Sequence, residues 1–303
     1  MTGRIAVLGL GGIGGLLAVR TGALCVGSER TVDAIGQRGL RLVQGEETTQ
    51  ERLEAVTRLD TPVALLVVAV KAYDLGGALD RVAPEALDGA VILPLQNGLE
   101  HVAAIRARLG GESGGSHGRT SVAAGSIGRV SSSSPEPGVV VQETRTAARI
   151  SAASRELDAE QLAERLTPLA VPGIELVVGD DESAVLWEKA ARMAVLAAAT
   201  VAADLSIGAL RDDPAWRLRL EAALAEACAV AAGDGVQLDA PLQWAIIVGM
   251  PHDLTTSAAR DAAAGRRTEL DAIAGSVVRA GARLGVPTPA LAELLEEASC
   301  RAS

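Results

Sequence analysis

The amino-terminal part of this 303-residue chain carries glycines at a spacing suited to phosphate. An apolar stretch, Ile5 to Leu8, predicts a strand, and it is followed by Gly9, Leu10, Gly11, Gly12, Ile13 and Gly14. The first glycine of the motif suits a tight turn, the second leaves room for a pyrophosphate, and the last lets a helix pack closely on the strand. The amides and positive dipole end of that helix favour phosphate. A merely flexible loop is the alternative, but the strand-turn-helix context favours nucleotide binding.

Two polar clusters follow long apolar stretches farther along the chain. Val63 to Val70 predicts a parallel strand covered on both faces, and it ends at Lys71. Ala90 to Leu95 predicts a second such strand, followed by Gln96 and Asn97. Ligands bind at the carboxyl edge of open α/β sheets, so both clusters are predicted to converge on one crevice. The alternatives are a solvated strand end for Lys71 and a simple turn at Asn97.

The elements that position these residues alternate between strands and helices. The predicted helices of this half run from Gly12 to Thr21, Thr31 to Gln37, Leu75 to Val82 and Arg155 to Leu169. Further strands are predicted at Ala23 to Val26, Leu40 to Val43 (completing the first half of the sheet), Val139 to Glu143, Ala147 to Ile150 and Ile174 to Val178. We expect Gly45 to Thr61 to connect back across the sheet, Gly110 to Gly118 and Ser131 to Gly138 to be loops, and Thr120 to Val130 to be strand-like.

The remainder of the chain is predicted to be helical. Ser183 to Leu205 is apolar around much of its circumference, which indicates a buried central helix. The other predicted helices are Pro214 to Gly233, Ala240 to Val248, Thr256 to Ala264, Thr268 to Leu284 and Thr288 to Arg301. The predicted fold is therefore α/β, with a Rossmann-type dinucleotide-binding domain at 1–180 and an all-helical domain at 181–303.

Composition narrows the classes of function. A formal net charge of -10 and the lack of basic runs argue against nucleic-acid binding. The longest apolar run, Ala194 to Ala203, is short of the ~20 residues that span a bilayer, so no membrane segment is predicted. The amino terminus enters a predicted strand almost at once, without a charged and then apolar leader, so no secretory signal is expected. The cysteines are scattered, as expected of a reducing cytoplasm. The histidines, His101, His117 and His252, are too far apart for metal-ligand spacing, so no metal is predicted.

Together these motifs resemble the ketopantoate reductase family (2-dehydropantoate 2-reductases). Besides the glycine turn, the resemblance includes Lys71 in Val-Lys-Ala-Tyr-Asp, Asn97 in Leu-Gln-Asn-Gly-Leu-Glu and Lys189 in Trp-Glu-Lys. It also includes Ser257, which stands twelve positions before Glu269 in Thr-Glu-Leu-Asp. The resemblance implies a dinucleotide-binding domain, an all-helical domain and an active site in the cleft between them.

The resemblance also implies a reaction, the transfer of hydride from NADPH to a 2-keto acid carbonyl. Lys189 would donate the proton, a role worth roughly 10²- to 10⁴-fold in rate; alternatively it snorkels to water. Glu269 would hold the substrate or the lysine, or would be an ordinary exposed carboxylate at a helix start. Ser257 would bind a carboxylate or cap its helix. Asn97 and Lys71 would line the nicotinamide side of the crevice.

The chain departs from the family pattern on both the substrate side and the cofactor side. The family usually carries asparagines four and eight positions after the lysine, where this chain has Met193 and Ala197. Both positions lie near the face of Lys189, which implies a larger and more apolar substrate than ketopantoate. Ser28 replaces the arginine that the family usually carries for a 2′-phosphate, and Arg30 is the candidate substitute. Glu29 would instead repel a 2′-phosphate and could accept a ribose hydroxyl. The first helix is also shorter than is typical, which implies a weakened cofactor site.

Three hypotheses of function follow from the sequence, and the third is an NAD(P)-sensing binding protein without turnover. The first is an NAD(P)H-dependent reductase of a 2-keto acid or related carbonyl, with NADP(H) favoured over NAD(H). The second is a repurposed family member, in specialised metabolism, that has lost redox chemistry and binds, cyclises or isomerises a bulky apolar ligand in the cleft. The partners expected are a small-molecule substrate and a second copy in a homodimer.

Overall fold

The computed structural model describes residues 3–112 and 120–302 of the chain. Within these ranges the chain divides into two compact units, one of residues 3–96 and 101–185 and the other of residues 97–100 and 186–302. The short segment that carries Asn97 therefore belongs with the carboxy-terminal unit, although the strand before it and the helix after it belong to the first.

The strands of the first unit are numbered along the chain. They are β1 Ile5–Leu8, β2 Leu24–Val26, β3 Leu40–Gln44, β4 Glu47–Glu51, β5 Ala55–Val56, β6 Leu65–Val68, β7 Val91–Pro94, β8 Ser121–Val122, β9 Ala124–Gly128, β10 Ser132–Glu136, β11 Val139–Gln142, β12 Ala148–Ala153 and β13 Ile174–Val178. Helices α1 Gly12–Thr21, α2 Glu29–Arg38, α3 Leu75–Leu79, α4 His101–Glu112 and α5 Ala159–Leu166 accompany them.

The main sheet is parallel and has the strand order β5-β2-β1-β6-β7-β8. Strands β1, β6 and β7 are buried along their whole length, as expected of central parallel strands covered on both faces. The strands predicted around Ile5, Leu65 and Val91 are confirmed. Their carboxyl ends lead into the glycine turn, Lys71 and Gln96, respectively.

The prediction that Leu40 to Val43 completes the first half of this sheet is wrong. Strand β3 instead lies in a second sheet, of order β10-β11-β3-β4, while β5 pairs with β2 at the edge of the main sheet. The physical reason is its half-buried pattern, because Leu40 and Leu42 are buried and Arg41 is exposed. That alternation suits a strand with one solvated face.

Two loop predictions are also corrected. Residues 131–138 are not a loop, because β10 pairs antiparallel with β11, and Pro135 is tolerated because β10 lies at the sheet edge. The loop predicted from Gly110 begins inside α4, which continues to Glu112, and residues 113–118 lie outside the described ranges.

A third sheet has the strand order β13-β12-β9. Its last strand in sequence, β13, precedes the second unit. Helix α5 begins four residues later than the predicted Arg155, because the Asp158 carboxylate accepts the Gln161 amide and closes a capping box. The predicted strand at Ile174–Val178 is confirmed.

The second unit is helical. Its helices are α6 Glu182–Ala203 (whose first turn lies in the first unit), α7 Ile207–Asp212, α8 Pro214–Gly233, α9 Ala240–Val248, α10 Ser257–Ala263, α11 Ser276–Leu284 and α12 Pro289–Arg301. The helix predicted from Thr268 begins instead with a π-helical segment, Asp271–Gly275, that leads into α11. Helix α7, which Ser206 caps, was not predicted. None of the described helices has the length and apolarity needed to cross a bilayer. The predicted fold class, a Rossmann-type α/β domain followed by helices, is confirmed.

Candidate active site

The glycines of the first turn have the conformations that their spacing predicts. Gly9 has φ +93°, in the left-handed region, and a Cβ at Gly14 would lie 1.8 Å from the Gly9 carbonyl oxygen. A Cβ at Gly11 would meet nothing within 4 Å. The turn is therefore closed where the strand and helix pack together and open at Gly11, the amino-terminal cap of α1, where a pyrophosphate needs room.

A pocket of about 760 Å³ lies beside this turn in the first unit. Of the residues predicted to bind the cofactor, those that line it are Gly9, Leu10, Gly11, Ser28 and Arg30. Gly12, Ile13, Gly14 and Lys71 are not among its lining residues. Gly12 faces the second sheet instead, where a Cβ would lie 2.3 Å from the Ser132 carbonyl oxygen.

The pocket extends to the carboxyl end of β2, where an adenosine ribose is expected in this fold. Ser28 occupies the amino-terminal cap position of α2 there, and its Oγ lies 3.0 Å from the Thr31 hydroxyl rather than bonding a helix amide. A second arginine reaches the same place from beyond α3: Arg81 lines the pocket and its Nη1 donates to the Gly27 carbonyl oxygen at 2.6 Å. Sequence reasoning missed Arg81, because nothing in its local sequence indicates that it reaches β2.

In the second unit, the ammonium group of Lys189 is bonded to Asn97. Lys189 Nζ donates to Asn97 Oδ1 at 2.8 Å, so the two residues meet although they are 92 positions apart in sequence. Both side chains are partly buried. The alternative interpretations, a snorkelling lysine and a simple Asn-Gly turn, do not account for this contact.

The electrostatic surroundings make Lys189 a stronger acid than an ordinary lysine. Burial lowers the pKa of Lys189 to about 8, the Glu269 carboxylate opposes that decrease, and the positive charge of Arg192 adds to it. Glu269 is only 6% exposed, so its interpretation as an exposed carboxylate at a helix start is wrong. The structure therefore brings Lys189, Asn97 and Glu269 together in one unit.

The residues predicted to bind substrate divide into accessible and inaccessible positions. Ala197 has no exposed surface and packs in an apolar cluster with Val201 and Leu270, so it cannot touch a ligand without rearrangement. Met193 packs against the same cluster but is only partly buried. The prediction of direct substrate contact is thus corrected for Ala197.

Ser257 does not cap its helix, contrary to one of the two interpretations of this residue. The cap of α10 is Thr256, whose hydroxyl accepts the Ala259 amide and lies 2.8 Å from the Thr200 hydroxyl. Ser257 is the first residue of the helix and is partly exposed. Its hydroxyl is therefore not used as the helix cap.

Lysine usage singles out two of the site residues. Of the 28 Lys and Arg residues in the chain, only Lys71 and Lys189 are lysines. An arginine guanidinium stays protonated in proteins, whereas a lysine can lose its proton. A residue that donates a proton would therefore have to be a lysine, although this chain uses arginine at nearly all of its other basic positions.

Within the described residues no cluster of three or more His, Cys, Asp or Glu side chains could hold a metal ion. His117 lies outside those residues.

Comparison with known proteins identifies the family. Residues 5–155 match the model for ketopantoate reductase PanE/ApbA, and residues 182–299 match the model for its C-terminal part. The 2-dehydropantoate 2-reductase of Halobacterium salinarum is 29% identical over 97% of each chain, and that of Mesorhizobium japonicum is 26% identical over 96% of this chain and 95% of its own.

Solved structures show the same fold. A PanE/ApbA family ketopantoate reductase from Ralstonia eutropha has a TM-score of 0.80 and 26% identity, covering 99% of this chain and 98% of its own. A D-mandelate dehydrogenase, solved with NADH and anilino(oxo)acetate, has a TM-score of 0.83 and 21% identity with the same coverage. The chain belongs to the ketopantoate reductase family.

Proposed function

We propose that this protein is an NAD(P)H-dependent reductase of a 2-keto acid or related carbonyl compound, with Lys189 as the general acid. The observation that carries the proposal is the contact between Lys189 and Asn97, together with the nearby charge of Glu269. The relatives named 2-dehydropantoate 2-reductase support a reduction of this type.

The residues of the first unit fit a dinucleotide. The open space at Gly11 and the amides at the start of α1 would hold the diphosphate, and the pocket continues toward Ser28 and Arg30. When bound, a reduced nicotinamide supplies the hydride. Lys71 follows β6 at the carboxyl edge of the sheet, and a role beside the nicotinamide stays a prediction.

Two arginines favour NADP(H) over NAD(H). Arg30 and Arg81 line the same pocket near the end of β2, and guanidinium groups bind phosphate with strong charge-assisted hydrogen bonds. The presence of NADH in the D-mandelate dehydrogenase structure indicates that this fold also accommodates a dinucleotide without the 2′-phosphate. The cofactor preference therefore depends on the two arginines and is open to direct measurement.

The side chains around Lys189 support its proposed part in the reaction. With a pKa of about 8, the ammonium is mostly protonated at pH 7 and gives up its proton more readily than an ordinary lysine. Asn97 accepts one of its three N–H bonds and so orients the others. A substrate carbonyl oxygen bound there would receive the proton as it becomes an alkoxide.

The substrate side favours an apolar compound. Met193 replaces an amide on the face of the Lys189 helix, and the apolar cluster that contains Ala197 continues beneath it. A site without the paired amides loses discrimination for the polar groups of ketopantoate. We therefore propose that the substrate is a 2-keto acid or related carbonyl with a larger apolar group.

The test is a spectrophotometric screen of 2-keto acids of increasing apolar size with NADPH and NADH. We expect turnover of an apolar member, and a loss of roughly 10²-fold or more in kcat with Lys189→Ala. Lys189→Arg is the matched variant, because it keeps the charge but cannot deliver a proton. Undiminished reduction by either variant would exclude Lys189 as the general acid.

A second candidate function has one observation in its favour. Asp74 and Glu136 also line the pocket at the glycine turn and would repel a phosphate. In a family member without redox chemistry, which binds, cyclises or isomerises a bulky apolar ligand, this pocket would not need to hold a phosphate. Calorimetric titration distinguishes the two, since heat on adding NADPH or NADH favours the reductase. Homodimer formation and a cytoplasmic location stay predictions.

A further inference from the structure

One arginine on α11 connects two separate segments of the second unit. Arg279 Nε and Nη2 each donate to the Glu100 carboxylate at 2.8 Å. Its Nη1 donates to Asp271 Oδ1 at 2.7 Å, and Nη2 also donates to the Asp271 carbonyl oxygen at 3.1 Å. The planar guanidinium thus holds both segments in a fixed geometry, which a lysine could not reproduce.

The two segments that Arg279 connects are those that carry the partners of Lys189. Glu100 lies three residues after Asn97, and Asp271 lies two residues after Glu269. Glu100 and Asn97 belong to the four-residue segment 97–100, which groups with the helical unit. Fixing Glu100 and Asp271 therefore fixes the backbone that presents the amide and the carboxylate to the ammonium group.

The backbones of the same two segments also lie in close contact. Gly98 has φ +94°, and a Cβ at that position would lie 2.0 Å from the Ala272 carbonyl oxygen. Ala272 belongs to the π-helical segment Asp271–Gly275, a geometry that occurs frequently at functional sites. The backbone of segment 97–100 therefore abuts the π-helical turn directly, and Arg279 spans the junction.

We propose that Arg279 is a positioning residue that holds Asn97 and Glu269 in place around Lys189. The inference rests on the proposed function insofar as Lys189 is the proton donor, but the arrangement is measurable without substrate. Arg279 does not touch the reacting groups and acts through the backbone of the two segments. The structure assigns it a role because its four hydrogen bonds end on those segments.

A purely stabilising role does not explain the ion pairs that Arg279 forms with Glu100 and Asp271. The Arg279 side chain is 45% exposed, Glu100 is 52% exposed and Asp271 is 88% exposed. Ion pairs at such exposures contribute little to the free energy of unfolding. Loss of the cluster should therefore change the melting temperature slightly while changing the geometry around Lys189.

The lysine content of the chain provides a selective reporter. Lysine labelled with ¹³C at Cε gives signals from Lys71 and Lys189 alone, and Lys71→Arg assigns them. The charged groups that act on Lys189 are Glu269 and Arg192, and Asn97 is its neutral partner. The Arg192 guanidinium is itself bonded to Gln243 on α9, so Arg279→Gln leaves that contact in place.

The experiment measures how much Glu269 and Asn97 influence Lys189 with and without Arg279. In the otherwise wild-type protein, Glu269→Gln should lower the Lys189 pKa by about one pH unit, and Asn97→Ala should also lower it. In an Arg279→Gln background both effects should fall to less than half. Arg279→Met should give the same loss, because its side chain donates no hydrogen bond to either segment. It serves if the glutamine variant does not fold, and it adds no third lysine signal.

Arg219→Gln is the matched control. Arg219 forms a similarly exposed ion pair with Glu297 that joins α8 to α12 and touches neither segment. This variant should leave both effects at their wild-type size. Full-sized effects of Glu269→Gln and Asn97→Ala in folded Arg279→Gln protein would overturn the inference. Normal coupling without any carbonyl reduction would instead overturn the proposed function alone.

Discussion

The ammonium group of Lys189 and the side-chain oxygen of Asn97 lie 2.8 Å apart, and they join the long helix α6 to the segment that follows β7. The contact uses an acceptor that cannot take the proton permanently, since an amide oxygen is a very weak base. Asn97 therefore holds the ammonium without neutralising it, which is the arrangement that a proton donor needs.

The rate of carbonyl reduction should fall as the pH rises through about 8, because only the protonated form of Lys189 can donate. Glu269 raises the pKa of Lys189, so Glu269→Gln should move the descending part of the profile to lower pH. Measurement of kcat against pH between 6 and 10 tests both statements. A profile that does not move in this variant would contradict the assigned electrostatics.

Lys189 should also make the free energy of unfolding depend on pH. Its pKa is lower in the folded protein than the usual value of 10.5, so between about pH 8 and 10.5 the unfolded chain binds more protons. The free energy of unfolding of the wild type, relative to Lys189→Met, should therefore increase with pH across that window, by about 1–3 kcal/mol. Urea unfolding at pH 7.5 and pH 10 measures the difference, and a decrease would contradict the assigned direction.

Two alanine substitutions in the glycine turn should affect different properties, one cofactor binding and the other stability. Gly11→Ala adds a methyl group to open space, so stability should change by less than about 1 kcal/mol while NADPH binding weakens. Gly14→Ala places a methyl group 1.8 Å from the Gly9 carbonyl oxygen and should destabilise the protein by about 2 kcal/mol or more. Thermal unfolding and calorimetric titration separate the two, and equal losses of binding and stability in both variants would refute this assignment.

Arg81 should contribute to the choice of cofactor. Arg81→Gln is expected to weaken the binding of NADPH by about tenfold and to change the binding of NADH little, because a charged hydrogen bond to the 2′-phosphate is lost. Titration with 2′,5′-ADP and with ADP reports the same difference without the nicotinamide. Arg58→Gln is the control, since Arg58 bonds Asp60 and the Asp80 carbonyl and does not line the pocket.

Restoring amides on α6 should separate an accessible position from a buried one. Met193→Asn should be tolerated and should increase the turnover of polar 2-keto acids relative to apolar ones. Ala197→Asn should destabilise the protein by about 1–3 kcal/mol, because it forces a larger polar group into a fully buried cluster. Melting temperatures and relative kcat/KM values for the two substrate classes test this pair.

Local patterns predicted the parts of the molecule that local chemistry determines. The glycine turn and the apolar strands β1, β6 and β7 have strong signals over short stretches, and the structure confirms them. The position of β3 was not predictable in the same way, since its alternating pattern indicates one solvated face but not the sheet that the strand joins. Pairing partners are decided by contacts distant in sequence, which periodicity does not contain.

Contacts between residues distant in sequence were equally hard to predict at the candidate active site. Lys189 and Asn97 were singled out by motif, but the contribution of Arg81 and Arg279 depends on segments that are far apart in sequence. Arginine is common on the exposed surface of this chain, so residue type alone did not distinguish these two. Arg81 and Arg279 were distinguished only by the residues that they contact in the fold.

The early end of α1 has a consequence for the site that its sequence motif opens. Gly22, in a left-handed conformation with φ +68°, stops the helix after ten residues. A hollow of about 410 Å³ lies at that end, lined in part by Thr21, Gly22 and Ala23. The electrostatic effect of a helix terminus is concentrated in its own turn. The early stop at Gly22 therefore lies at the end of α1 remote from Gly11, and it removes no amide from the turn that we propose binds the diphosphate.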